Sequence, residues 1–260
     1  MLFNSGYAIA GAITGLAVGL TGVGGGALMT PILLLFFHVN PGAAIATDLW
    51  FAVLSKCLAV AVHGKAGQVD WQIVRRLLCG SLPIALVSMI ILNLGFGSIK
   101  LSWLTEAVGV LVILTALGLL LAPRLLVAAK MQRLGNSQQF KLMQPGLTVF
   151  TGAVLGLFVA LTSIGAGALG SVLILYLYPL RMTPHRLVAT DIAHAIPLAI
   201  VAGLGYLIAG MVDYSMLVNL LIGSLPAVLL GSLLSRWCSS RLMQVLLALV
   251  LLITGMRVFI

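Results

Sequence analysis

Charge is what this chain has least of. Acidic residues number five in 260 positions and charged residues make up 7% of the chain, too little polar surface to coat a water-soluble globule. The three cysteines, Cys57, Cys79 and Cys238, lie in apolar segments with neither paired nor metal-ligand spacing, which excludes a disulfide framework and a zinc site and leaves them as expected buried thiols. No nucleophile elbow, phosphate loop or pair of catalytic carboxylates is present. An enzyme is therefore not expected, nor a cofactor or bound metal, and any energy coupling must come from an ion gradient or substrate flow unless a separate subunit supplies it. The formal charge of +9 comes without a basic domain or aromatic-interleaved basic patch, so it reads as topogenic charge rather than a nucleic-acid surface. The start, MLFNSGY, has no basic region or cleavage pattern ahead of its first apolar run and reads as part of the mature protein.

What fills the chain instead is hydrocarbon. Hydrophobic residues are 62% of it and the mean hydropathy is +1.22, with uncharged runs approaching the roughly 20 residues that a helix needs to cross a bilayer. The runs are continuous rather than alternating, so helices are expected and a barrel is not.

The runs are also written twice. Gly11–Leu28 matches Gly152–Leu169 without gaps, with TGVGGGALMTP from Thr21 answered by TSIGAGALGSV from Thr162. Further on, Pro41, Ala46, Thr47 and Asp48 recur as Pro184, Ala189, Thr190 and Asp191. Gly67, Val69, Asp70 and Gly80-Ser81-Leu82-Pro83 recur as Gly210, Val212, Asp213 and Gly223-Ser224-Leu225-Pro226. Two repeats are expected, residues 1–122 and 145–260, joined by a polar linker over 123–144 that carries Arg124, Lys130, Arg133 and Lys141 and no acid.

Within the first repeat, Gly6–Gly22 is barely long enough to span and Ala27–Phe37 reaches only about 16 Å as a helix. The chain must break at the glycines, either between two spans or at the tip of a re-entrant hairpin, with the irregular backbone buried in protein or facing a watery cavity. Asn40-Pro41 predicts a capped helix start. Spans are expected over 42–62, 70–92 and 101–121, and in the second repeat over 145–161, 168–177, 184–208, 214–235 and 241–260. An odd number of crossings per repeat, with the linker cytoplasmic, gathers Lys65, Arg75, Arg76, Arg124, Lys130, Arg133, Lys141, Arg181, Arg186, Arg236 and Arg241 inside against Lys100 and Arg257 outside. Four crossings per repeat scatter them, so the positive-inside rule favours repeats of inverted topology. Inverted repeats with glycine-interrupted helices point to a secondary transporter with a midplane site.

The polar residues left inside the spans are the candidate chemistry. The breaks at Gly24, Gly25 and Gly26 and at Gly165, Ala166 and Gly167 free N–H groups at helix starts, which favour an anion. Close helix packing is the competing reading. Thr21, Thr162 and Ser163 add hydroxyls, and Lys56 is a candidate anion partner or the mate of an acid such as Asp48 or Glu106. Asp48, Asp191 and His194 are candidates for coupling a proton or cation, His194 standing one turn from Asp191. Lys56 and His194 have no equivalent in the other repeat, where Ala199 and Phe51 stand. Asp70 and Asp213 read as helix N-caps, and the tryptophans Trp50, Trp71, Trp103 and Trp237 as interface anchors.

TGVGGGALMTP, followed by NPGAAIATD, GKAGQVDW and GSLP, resembles the sulfite exporter TauE/SafE family over essentially the whole chain. The resemblance implies a multi-pass permease of the plasma membrane, bacterial, for sulfite or related sulfur-containing or organic anions. The second glycine motif departs from the first, Ser163, Ala166, Gly170 and Val172 replacing Gly22, Gly25, Met29 and Pro31. The combined expectation is an all-α polytopic membrane protein of two inverted repeats that moves small anions by alternating access. The rivals are a passive anion channel, an intramembrane enzyme and an assembly subunit.

Overall fold

A computed structural model describes residues 4–21, 26–63, 69–95, 102–135, 137–165, 167–234 and 240–257. The described residues form ten helices, five from each repeat: α1 (Ser5–Thr21), α2 (Gly26–Phe36), α3 (Pro41–His63), α4 (Trp71–Gly95) and α5 (Ser102–Gly135), then α6 (Ser137–Thr162), α7 (Ala168–Leu177), α8 (Pro184–Ile208), α9 (Tyr214–Leu234) and α10 (Ser240–Arg257). Five of them, α4, α5, α6, α8 and α9, contain stretches of 21 to 25 residues long and apolar enough to cross a membrane. Large apolar side chains cover the outside of the bundle, Leu94 at 84% and Ile208 at 81% exposure among them, as a hydrocarbon-facing surface requires and a water-facing one does not tolerate. The chain is an all-helical multi-pass membrane protein.

The helix starts follow local chemistry. Asn40 accepts from the Gly42 amide at 3.0 Å through its side chain, ahead of Pro41 at the first position of α3; Thr183 caps α8 by accepting from the Arg186 amide, ahead of Pro184. The linker departs from expectation. Residues 123–135 continue α5 and 137–144 open α6, so the segment read as a loop is helical on both sides of position 136. Leucine, alanine, lysine, arginine, methionine and glutamine dominate it, and these are good helix formers whatever their polarity.

The repeats interlock. Helix α1 packs along α9 and α6 along α4, α3 faces α8 and α5 faces α10, a pattern unchanged when the two repeats are exchanged. Glycines set its closest approaches: a Cβ on Gly11 would lie 2.1 Å from the Leu220 carbonyl oxygen, and one on Gly152 would lie 2.2 Å from that of Leu77, the equivalent residue. Gly15 abuts Ser224 as Gly156 abuts Ser81, and Gly223 abuts Ala8 as Gly80 abuts Val149. Without side chains the helix backbones approach closely enough to replace the missing hydrophobic drive with dispersion contacts.

Two cysteines and one tryptophan lie elsewhere than expected. Cys57 and Cys79 are exposed rather than buried, each on the outward face of its helix. Trp50 does not anchor at an end of α3; it lies within the helix, and its Nε1 donates to the Gly203 carbonyl of α8 at 3.2 Å.

Candidate functional site

The second glycine break is fully within view apart from Ala166. Helix α6 ends at Thr162, and the chain turns through Ser163 (φ 61°), Gly165 (φ 127°) and Gly167 (φ 133°) before α7 begins. Left-handed backbone at 165 and 167 is why glycine stands at both positions. Ser163 holds a left-handed conformation at the place where the first repeat has Gly22. In the first repeat, Gly22, Gly24 and Gly25 lie outside the described residues, Gly26 is the first residue of α2, and Thr21 is the last of α1.

Helices α3 and α8 bring the charged candidates together in the interior. Asp48 and His194 are 0% exposed, Asp191 2% and Lys56 4%. Thr30 of α2 donates its hydroxyl to Asp48 Oδ2, and Ser163 lies against the same carboxylate. Lys56 is within electrostatic reach of both carboxylates and of His194. The Gly167 amide at the start of α7 faces Asp191, and a Cβ on Gly170 would come within 2.7 Å of Asp191 Oδ1. Glycine at 170, where the first repeat has Met29, makes room for that carboxylate. His194 Nε2 lies 3.0 Å from the hydroxyl of Ser81 on α4.

The expected binding and coupling residues therefore meet in one cluster. Ser163, Gly167, Lys56, Asp48, Asp191 and His194 share it; Gly165 shapes the turn beside it. Thr162 serves its own helix instead, since its hydroxyl donates to the Phe158 carbonyl at 2.7 Å and accepts from the Ile164 amide at 3.2 Å. Sequence reasoning does not reach Thr30 and Ser81. Thr30 stands one residue before Pro31, and Ser81 belongs to the repeated GSLP; nothing in either pattern separates a hydroxyl that holds a charged group from one that bonds its own helix. Glu106 is exposed on α5 and does not join the cluster.

Four buried polar atoms of the cluster lack a hydrogen-bond partner: Asp48 Oδ1, Asp191 Oδ1, Ser163 Oγ and His194 Nδ1. Buried polar atoms are nearly always satisfied, so these four atoms are the open hydrogen-bonding capacity of the cluster. Among the described residues no group of three or more His, Cys, Asp or Glu side chains is arranged to hold a metal ion.

A multi-pass helical bundle with a closed, charged interior site is the architecture of a membrane transporter. The whole chain matches a known transporter family: residues 7–258 fit the family model described as sulfite exporter TauE/SafE, and the chain belongs to that family. It is 36% identical over 253 residues, 95% of this chain and 96% of the other, to a Bacillus subtilis (strain 168) protein described as probable membrane transporter protein YjnA. It is 28% identical over 223 residues, 85% of each chain, to probable membrane transporter protein YdhB of the same organism. No solved structure matches the chain. Family membership makes the protein a transporter rather than an enzyme.

Proposed function

We propose that the protein carries a small oxyanion, sulfite or an organosulfonate, across the membrane by alternating access at the α3–α8 cluster. One observation carries the reading: the polar residues that the duplication does not repeat converge on the carboxylates that it does. Lys56, Ser163 and His194 stand opposite Ala199, Gly22 and Phe51, yet Lys56 reaches His194 and both carboxylates, and Ser163 lies against Asp48. All three can donate. Lys56 offers ammonium N–H groups, Ser163 a hydroxyl, and a neutral His194 whose Nε2 accepts from Ser81 presents Nδ1–H. Three donors of this kind suit the oxygens of a sulfite or sulfonate group better than a carboxylate-lined cation site would.

Burial on every side supports an occluded state, reached from either face by rocking one repeat against the other, with residues 123–144 on the cytoplasmic side. Packing that is unchanged when the repeats are exchanged supports this, because two repeats that trade conformations give one state open to each face.

Flux of sulfite, sulfate and methanesulfonate into proteoliposomes tests the proposal, with the wild type beside Lys56→Ala. Saturable flux of at least one anion, reduced tenfold or more in the variant, is expected. Flux that Lys56→Ala leaves unchanged would move the site elsewhere; non-saturating flux would make the protein a channel.

A further inference from the structure

We infer that the site takes its anion together with one proton, which lands on Asp191. This rests on the proposed anion site and deepens it. Two carboxylates and one ammonium share the cluster, with His194 beside them, and all four side chains are at least nine-tenths buried. Among the described residues the surrounding helices add no further charge. Helices α2, α7 and α9 carry no Asp, Glu, Lys, Arg or His, Glu106 and Arg124 on α5 and Lys141 on α6 lie away from the interior, Arg75 on α4 is exposed, and Arg76 is turned to the Tyr178 hydroxyl at 3.3 Å.

A third negative charge brought into this space must displace a carboxylate from Lys56, and the displaced carboxylate is then a buried charge without a counter-ion. Such a group costs several kcal/mol. A proton from hydronium in the aqueous phase removes the charge: hydronium loses one O–H bond and becomes water, a carboxylate oxygen gains one, the anion gains the ammonium, and no covalent bond to the anion forms or breaks. Geometry selects Asp191 over Asp48. Asp48 keeps the hydroxyl of Thr30 with that of Ser163 against it, donors that favour its charged form, so the arriving anion leaves Asp191 as the carboxylate to be neutralised. Oδ1 of Asp191, unpartnered like that of Asp48, has room for the proton. Anion and proton then cross together, and acid on either side drives the anion toward the other.

Calorimetric titration of the full-length protein in detergent tests this, with methanesulfonate as the probe because it carries no titratable proton near neutrality. Repeating the titration in buffers of different ionisation enthalpy counts the protons taken up. About one proton per bound anion is expected for the wild type. In Asp191→Asn, whatever its affinity, the count per bound anion falls toward zero, while Asp48→Asn keeps it near one. Wild-type binding with no proton uptake, or binding that requires sodium instead, overturns the inference and leaves the anion site standing. Loss of the proton count in Asp48→Asn but not in Asp191→Asn overturns the assignment to Asp191. Absence of binding by methanesulfonate, sulfite and sulfate alike overturns the anion site itself.

Discussion

Thr190 on α8 accepts the backbone amide of Asp70 at 3.0 Å, and Thr47 on α3 accepts that of Asp213 at 3.3 Å. The two ties are equivalent under exchange of the repeats, and each joins one repeat to the other. Around them the resemblance stops. Asp70 is buried, paired with Arg181 at 2.6 Å and with Arg186 at 3.1 Å, and Arg181 also bonds Gln72 at 3.0 Å. Asp213 is exposed and uses its carboxylate to cap α9 through the Met216 amide at 2.9 Å. The positions equivalent to the two arginines hold His38 and Ala43. Backbone ties and aspartates are thus kept in both copies while their basic partners stand in one, and the interior site follows the same division, Asp48 and Asp191 recurring while Lys56 and His194 do not.

The sharpest test of the shared half of that statement lies in the glycines. Gly152→Val and Gly11→Val each push a side chain into a carbonyl oxygen of the facing helix, where backbone rather than a flexible side chain must yield. Each should cost about 3 kcal/mol, at the upper end for overpacking, seen as a large fall in thermal midpoint in detergent and in yield from membranes. A Cβ on Gly146 meets nothing within 4 Å, and Gly146→Val should be close to neutral. If one repeat accepts valine while the other does not, the packing equivalence is broken.

The unshared half is tested by charge deletion that keeps shape. Asparagine can cap a helix as aspartate does, so Asp213→Asn should change stability by less than about 0.5 kcal/mol. Asp70→Asn removes the counter-ion of two arginines at a buried position and should cost about 2 kcal/mol. The discount for the arginines, each about two-fifths exposed, is already in that figure. Equal thermal shifts in the two variants would reduce the Asp70 cluster to an ornament of the surface.

How much of this is legible in the sequence follows the same line between backbone and charge. Helix order can be read, and bounds where a cap or glycine break acts locally: α7 and α8 end where the sequence predicts, whereas α5 and α6, with no such signal between them, run on through the expected linker. The glycine motif can be read because the left-handed backbone at Gly165 and Gly167 admits few other residues. The Asp70 ion pairs cannot, since Arg181 and Arg186 lie more than a hundred residues away and only the fold brings them to it. Asp70 looks the same as Asp213, a helix cap, because the shared Val-Asp-aromatic pattern is the local part of its environment. Trp50 misleads for a related reason: a tryptophan within an apolar run reads as an anchor until Gly203 on a distant helix is seen to make room for it. Thr30 and Thr162 show the limit most plainly, two buried threonines beside repeated glycines, one holding a carboxylate and the other its own helix.

Ser163 is where the two kinds of difference meet, and the smallest of the effects tests it. The first repeat has glycine there, and serine in a left-handed conformation costs about 1 kcal/mol. Ser163→Gly restores the symmetry of the motif and should raise stability by roughly that amount, less the added freedom of the unfolded chain. If the hydroxyl binds the anion, the same change should lower flux at limiting substrate about tenfold, the worth of one hydrogen bond to a charged group. A gain in thermal midpoint together with a loss of flux means that the second repeat keeps a strained serine for the sake of its hydroxyl. A gain with unchanged flux would remove Ser163 from the donor set and leave Lys56 and His194 to hold the anion alone.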